Sequence, residues 1–207
     1  GLNSGKAAEG LGMEVETKEV VFEPMPKIAR LNRPCVVTEK IDGTNACVIV
    51  HPDGTVQAAS KNTLLTPDVQ DNHGFRKWVE ANADQLRALG PGLHRGEWWG
   101  KGIGKRHPTV EKTFSLFNTG RWANHGARLA EGQAYPPACC KVVPVLREIP
   151  VFDSAEVSAA VSQLAAFGST ADPACKRPEG VIVFHTAKGY LFKVTCEKDE
   201  KHKSSQE

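Results

Sequence analysis

The apolar positions of this chain fall more often into short β-branched runs than into helical spacing. Val36-Val37-Thr38 is one such run. Ala46-Cys47-Val48-Ile49-Val50 is another, ending at His51-Pro52-Asp53-Gly54-Thr55. Pro-Asp-Gly is strong turn chemistry, because proline presets φ, aspartate bonds back to the chain and glycine accepts a positive φ. The pattern predicts a hairpin over 45–60, with 56–60 returning. Phe75, Trp78, Val79, Leu86 and Leu89 recur at helical spacing and predict a helix over 74–89 that Gly90-Pro91 stops. Strands are expected at 93–99 and 113–118, separated by a basic, glycine-rich loop. Asp153 and Glu156 have capping-box spacing, and Val157, Val161 and Leu164 line one face of a helix ending near Gly168. A last hairpin is expected from 181–184 and 190–194. Together these predict a mainly antiparallel α+β domain with flanking helices.

Composition adds limits rather than new elements. The 207 residues carry 26 Lys+Arg against 24 Asp+Glu, a net charge of +2, with 40% hydrophobic and 24% charged residues. These are globular values, so wholesale disorder is excluded, and any nucleic-acid surface must rest on locally concentrated charge. No apolar run approaches the ~20 residues of a membrane span. Residues 1–12, glycine-rich and ahead of Met13, read as an appended remnant or a disordered arm. Residues 13–196 read as one domain, and 197–207 as a charged tail. The six cysteines form no Cys-x-x-Cys or zinc-like spacing, which suits reduced thiols and a cytoplasmic setting.

The chemistry gathers in Thr38-Glu39-Lys40-Ile41-Asp42-Gly43-Thr44-Asn45, where a lysine ends an extended run just before an Asp-Gly turn. Alone, that arrangement describes many surface turns. Four further features follow in order: Ser60-Lys61-Asn62, Arg95-Gly96-Glu97, Phe114-Ser115-Leu116-Phe117, and Glu179-Gly180-Val181 ahead of Phe192-Lys193-Val194. In that order the chain resembles the covalent nucleotidyltransferases, the ATP-dependent polynucleotide ligases and capping enzymes. Glu39-Lys40 with Gly43-Thr44-Asn45 is most similar to the RNA ligase 2-like branch. The resemblance covers 36–195 and implies a ligase-type adenylation domain built around an ATP cleft.

The resemblance also implies roles. Lys40 would be the nucleophile, carrying AMP from ATP as a phosphoramidate. An ordinary lysine, with pKa ~10.4, is almost wholly protonated at pH 7, and lowering that by about three units costs roughly 4 kcal/mol. Lys193 and a divalent cation, Mg²⁺ or Mn²⁺, would supply the compensating charge. Glu179 would hold that cation through oxygen. Glu97 would accept from the ribose hydroxyls, and Lys61 would reach ribose or phosphate. Asp42, Gly43 and Asn45 would shape the nucleotide turn, and backbone groups at Glu39 and Ile41 would read adenine. Phe114 is expected to stack on the base, with Phe117 as the alternative.

Gly100-Lys101-Gly102-Ile103-Gly104-Lys105 imitates a phosphate loop, yet no Gly-x-x-x-x-Gly-Lys-Ser/Thr pattern exists. Between residues 94 and 112 there are nonetheless five lysines and arginines against two glutamates. Arg95, Lys101, Lys105 and Arg106 are therefore expected to grip a nucleic-acid backbone. The expected partner is RNA, as nicked duplex or broken ends, with DNA as an alternative. The protein would act as a monomer or with a separate clamp subunit. Two positions depart from the family pattern: Thr195 stands where a second lysine is common, and Asn118 where aspartate is common. The expected activity is ATP-dependent RNA ligation of the repair type. A DNA ligase, a GTP-using capping-type enzyme, a protein adenylyltransferase and a catalytically retired nucleic-acid-binding module are the alternatives.

Overall fold

A computed structural model describes residues 34–185 and 189–196. The expected arm at 1–12, the tail at 197–207 and the tip of the last hairpin lie outside these. The strands, in chain order, are β1 (Cys35–Lys40), β2 (Gly43–Val50), β3 (Val56–Ser60), β4 (Gly92–Trp99) and β5 (Thr113–Leu116). They continue as β6 (Cys140–Val142), β7 (Val145–Ile149), β8 (Gly180–His185) and β9 (Gly189–Thr195). They form a four-stranded sheet, β7-β1-β8-β9, and a five-stranded sheet, β3-β2-β4-β5-β6. Every pairing is antiparallel except β5 with β6. The domain is α+β, as the pattern predicts. No helix among the described residues is long and apolar enough to cross a membrane.

The hairpin of β2 and β3 turns as its chemistry requires. Gly54 sits at φ 90, and the Asp53 side chain accepts from the Thr55 N–H at 2.9 Å. The helix expected over 74–89 is instead three pieces: α1 (Phe75–Ala81), α2 (Ala83–Leu86) and a 3₁₀ turn at Arg87–Leu89. Asn82 breaks it, because its side-chain amide bonds back to the Trp78 carbonyl at 2.8 Å and competes with the helical ladder. Helix α3 (Ser154–Phe167) opens on Asp153, whose carboxylate accepts from the Ala155 N–H at 2.9 Å. The other half of the expected capping box is absent from its place: Glu156 pairs with Arg147 at 3.5 Å.

Alternation along the strands decides what each face meets. In β4 and β5, Trp98 and Phe114 point to the α1 side, where they are buried with Phe75 and Val79. The Phe75 ring lies 5.3 Å from both the Trp98 and the Phe114 rings. In β1 and β8, Val37, Val181 and Val183 face α3 and pack against Val157 and Leu164. The residues one step out of phase, Lys40 in β1 and Glu97 in β4, therefore face away from those cores. Ile41 and Asp42 are the two residues between β1 and β2, and so between the two sheets. Lys40 lies at that crossing.

Candidate active site

Lys40 Nζ donates to the Glu179 carboxylate, and both side chains are 21% exposed. The pair follows from register: Lys40 lies opposite Gly180, so the residue before β8 meets the end of β1. Gly180 has φ 154, and a Cβ there would lie 2.1 Å from the Val194 carbonyl oxygen, so no other residue fits this approach. Glu97 reaches the crossing from the other sheet and accepts from the Gly43 N–H at 3.1 Å. Gly43 is needed for that contact, because a Cβ would stand 2.5 Å from the Trp98 carbonyl oxygen. Burial pushes the Glu97 carboxyl up to about 7. Lys40 and the Gly43 N–H pull it down, while the Glu179 and Asp42 carboxylates push it further up. The Glu97 carboxyl thus sits in the field of one lysine and two further carboxylates.

The Asp42 carboxylate is held by the basic loop, accepting from the Lys105 N–H at 3.1 Å and from Arg106 at 3.4 Å. Asn45 lies directly opposite Glu97. Residues before and after Lys40 are committed to the protein. Glu39 is 1% exposed, and its carboxylate accepts from Ser169 Oγ at 2.6 Å and from the N–H groups of Thr170 and Ala171 at 2.9 Å. Its own N–H donates to the Pro144 carbonyl at 3.0 Å, so that group is not open to adenine. Ile41 is buried with Trp99 and Val143.

A model of the RNA ligase family matches residues 33–195. The chain belongs to the RNA ligase family. Its fold is similar to that of the Naegleria gruberi RNA ligase. A variant of that ligase with ATP and Mn superposes at TM-score 0.57 with 21% identity, over 86% of this chain and 55% of the other. A variant with AMP and Mn superposes at TM-score 0.58 with 19% identity, over the same shares. The ligase with pyrophosphate superposes at TM-score 0.56 with 19% identity, again over 86% and 55%. The chain therefore spans a little over half the length of these solved chains. No curated protein matches it.

In this RNA ligase family member, the remaining candidates divide by geometry. Phe114 is 0% exposed and lies in the α1 core, so it cannot stack on a nucleotide; β-sheet alternation put it on the wrong face. Phe117, three residues on and therefore of opposite parity, is half-buried against Ile41 and Trp99. Lys61 follows β3 one step past the Ser60–Ala46 pair, level with Asn45. Lys193 is exposed and opposite Ile182, which is itself opposite Thr38, so it shares the face of Lys40. Thr195, rather than Lys193, is level with Lys40 through Gly180. Asn118 caps the turn after β5, accepting from the Gly120 and Arg121 N–H groups at 3.1 Å.

The basic loop is less open than its composition suggests. Arg95 and Lys105 are exposed, and Arg95 lies two residues from Glu97 on β4. Lys101 pairs with Glu111 at 3.1 Å, and Arg106 turns inward to Asp42 and to the Arg177 carbonyl at 2.8 Å. No group of three or more His, Cys, Asp or Glu side chains is disposed as a metal cage among the described residues. The donor set nonetheless suits Mg²⁺ or Mn²⁺: one or two carboxylates beside a nucleotide is how such cations bind, the phosphates and waters completing the shell. Sequence spacing did not signal Ser169, Asp172 and His107, which the fold brings behind the site.

Proposed function

We propose that this chain is the nucleotidyltransferase part of an ATP-dependent RNA ligase working through lysyl-AMP on Lys40. The observation that carries the reading is a lysine amine at the crossing of two sheets, in contact with Glu179 and in the field of Glu97, within a chain of this family. Solved relatives of the same fold hold ATP with Mn and AMP with Mn.

Lys40 Nζ, once deprotonated, attacks the α-phosphorus of ATP. A P–N bond forms, the bond to the bridging oxygen breaks, and pyrophosphate leaves with the electron pair. The Nζ proton has the Glu179 carboxylate as an acceptor in contact. Glu97, when ionised, accepts from the ribose hydroxyls, and its bond to the Gly43 N–H fixes its direction. Glu179 would hold Mg²⁺ or Mn²⁺, which would supply positive charge beside the phosphates, and Asp42, held on Lys105 and Arg106, would contact water bound to that cation. Lys193 faces the same cleft and adds to that charge; Lys61 borders it. A 5′-phosphate oxygen of RNA then attacks the adenylate phosphorus and releases Lys40. A 3′-hydroxyl attacks the activated end, AMP leaves, and the strand is sealed. Arg95, Lys101 and Lys105 would contact the RNA backbone.

Intact mass after incubation with ATP and Mg²⁺ tests the first step. The expected result is one AMP increment, absent in Lys40→Ala; an increment that survives the substitution, or none in the wild type, overturns it. The same assay with GTP separates a capping-type enzyme, and nicked RNA, DNA and hybrid duplexes separate the substrates. Thr195 beside Lys40 favours a narrower second reading, in which adenylylation proceeds and sealing is weak; it predicts AMP adduct with little ligated product.

A further inference from the structure

The loop between β4 and β5 belongs to the five-stranded sheet, yet its far end is tied to the segment that leads into β8 of the other sheet. His107 is 1% exposed, and its Nδ1 lies 2.8 Å from a carboxylate oxygen of Asp172, itself buried. A carboxylate is acceptor-only, so the imidazole Nδ1–H donates. The His107 ring stands edge-on to Trp99 at 4.9 Å, and Trp99 donates through Nε1 to Ser115 Oγ at 3.0 Å. Asp172 is fixed in turn: its N–H donates to Ser169 Oγ at 2.9 Å, and the same hydroxyl donates to Glu39. A continuous buried chain, His107–Asp172–Ser169–Glu39, thus runs from the loop to the residue before Lys40.

One residue before His107, Arg106 makes a second tie, donating to the Arg177 carbonyl and to Asp42. The Asp42 carboxylate is received closely, since a Cβ on Gly104 would lie 2.6 Å from its Oδ2. Without the loop, Asp42 would have Lys40, two residues away, as an alternative partner.

We infer that His107 and Asp172 are positioning residues for lysine adenylylation: their buried bond latches the β4–β5 loop across the two sheets and thereby keeps Asp42 on Lys105 and Arg106, away from Lys40. This rests on the lysyl-AMP reading above. The pair touches no substrate itself and acts through Arg106 and Asp42. Burial makes the latch effective, because a bond with no competing water is strong and leaves an unsatisfied group when broken.

The test is the rate of lysyl-AMP formation at saturating ATP and Mg²⁺ in His107→Ala, His107→Asn, Asp172→Asn, Arg106→Gln and the double variant Asp172→Asn with Arg106→Gln. Small displacements of reacting groups cost large factors, so Asp172→Asn and His107→Ala should each lose about tenfold or more in rate constant, with apparent ATP affinity moving less than about threefold. His107→Asn places an amide N–H where Nδ1 was and should recover the rate to within about threefold of wild type. In the Arg106→Gln background, Asp172→Asn should add less than about twofold, since both act on one element. Multiplying losses, or an Asp172→Asn rate within about twofold of wild type, overturns the latch. Exchange of the Lys105 amide hydrogen gives a reading independent of chemistry: it should quicken about tenfold in Asp172→Asn, and unchanged exchange overturns the proposal even if no adduct forms. A wild type that forms no adduct refutes the lysyl-AMP reading instead. If His107→Ala does not fold, Asp172→Asn and the double variant carry the test.

Discussion

The two faces of the five-stranded sheet are built from alternate residues of the same strands, yet they obey different rules. On the α1 side, the Trp98 and Phe114 rings lie 5.3 Å from the Phe75 ring with Val48 in the same core, and any residue of similar bulk could take part. On the other side, Asn45 and Glu97 stand opposite each other, Glu97 bonds Gly43, and Lys40 approaches from the second sheet. There the role of each residue depends on register between segments distant in the chain. The packed face fixes stability, and the polar face takes its geometry from that packing at the expense of some stability, since a buried carboxylate costs free energy.

Lys40→Arg should break the polar face most completely. Arginine keeps the positive charge beside Glu179, so the fold should persist, but a guanidinium does not deprotonate in proteins. The expected outcome is a folded protein by circular dichroism with no AMP increment by intact mass. Any acid-stable adduct on this variant would move the nucleophile elsewhere. On the packed face the largest effect belongs to Phe114→Ala, which opens a cavity beside Phe75 and Trp78 and should cost about 3–5 kcal/mol. Denaturant midpoints measure it. Below its melting temperature the variant should still adenylylate, which separates core from chemistry.

That contrast also explains which features were legible in the chain. Turns and strands with their own chemistry were plain: Pro52-Asp53-Gly54, the Asp153 cap and the β-branched runs act within a few residues. The break at Asn82 was hidden, because one side-chain bond to Trp78 overrides a sound helical period. The three-residue strand β6 was invisible, since its pairing with β5 is supplied by tertiary contact. Among site residues, Lys40, Glu97 and Glu179 were singled out by their order along the chain, and the fold brings these three side chains near one another. Which aromatic faces the cleft was not, because parity is read only against a known partner: Glu97 opposite Ser115 puts Phe117 on the cleft side and Phe114 in the core. His107 and Asp172 lie 65 residues apart with no spacing rule to join them.

Glu97→Gln sharpens the comparison through pH. Burial raises the folded-state carboxyl of Glu97 to about 7, above its ordinary value of 4.5. At pH below 4.5 it is protonated whether folded or unfolded, so it contributes no penalty. As pH rises from about 4.5 to 7 the unfolded chain ionises first, and stability falls; above about 7 the full penalty of about 3 kcal/mol is present. Glutamine escapes it, so in metal-free buffer the variant should melt at the same temperature as wild type near pH 4 and clearly higher at pH 8. Nucleotide binding should show the opposite cost, because the amide is a weaker acceptor for ribose hydroxyls than a carboxylate. Equal melting curves at pH 8 would mean that Glu97 is better solvated than its burial implies.

The smallest expected effect separates the two phenylalanines. Phe117→Leu keeps apolar bulk against Ile41 and Trp99, so its stability cost should stay under about 1.5 kcal/mol. Leucine has no aromatic face, and a lost stacking contact is worth about 1 kcal/mol, roughly a fivefold weaker apparent affinity for ATP. Phe114→Leu is the matched control: it should lose more stability, because it disturbs the rings of Phe75 and Trp78, yet leave ATP affinity unchanged. Fluorescence titration with a labelled ATP analogue reads affinity, and denaturant melts read stability. If both variants weaken ATP binding equally, the loss travels through general loosening of β5. If neither does, the base is held by contacts other than stacking on this strand. Opposite profiles, affinity for one and stability for the other, would show that a three-residue step along β5 is what divides binding from packing.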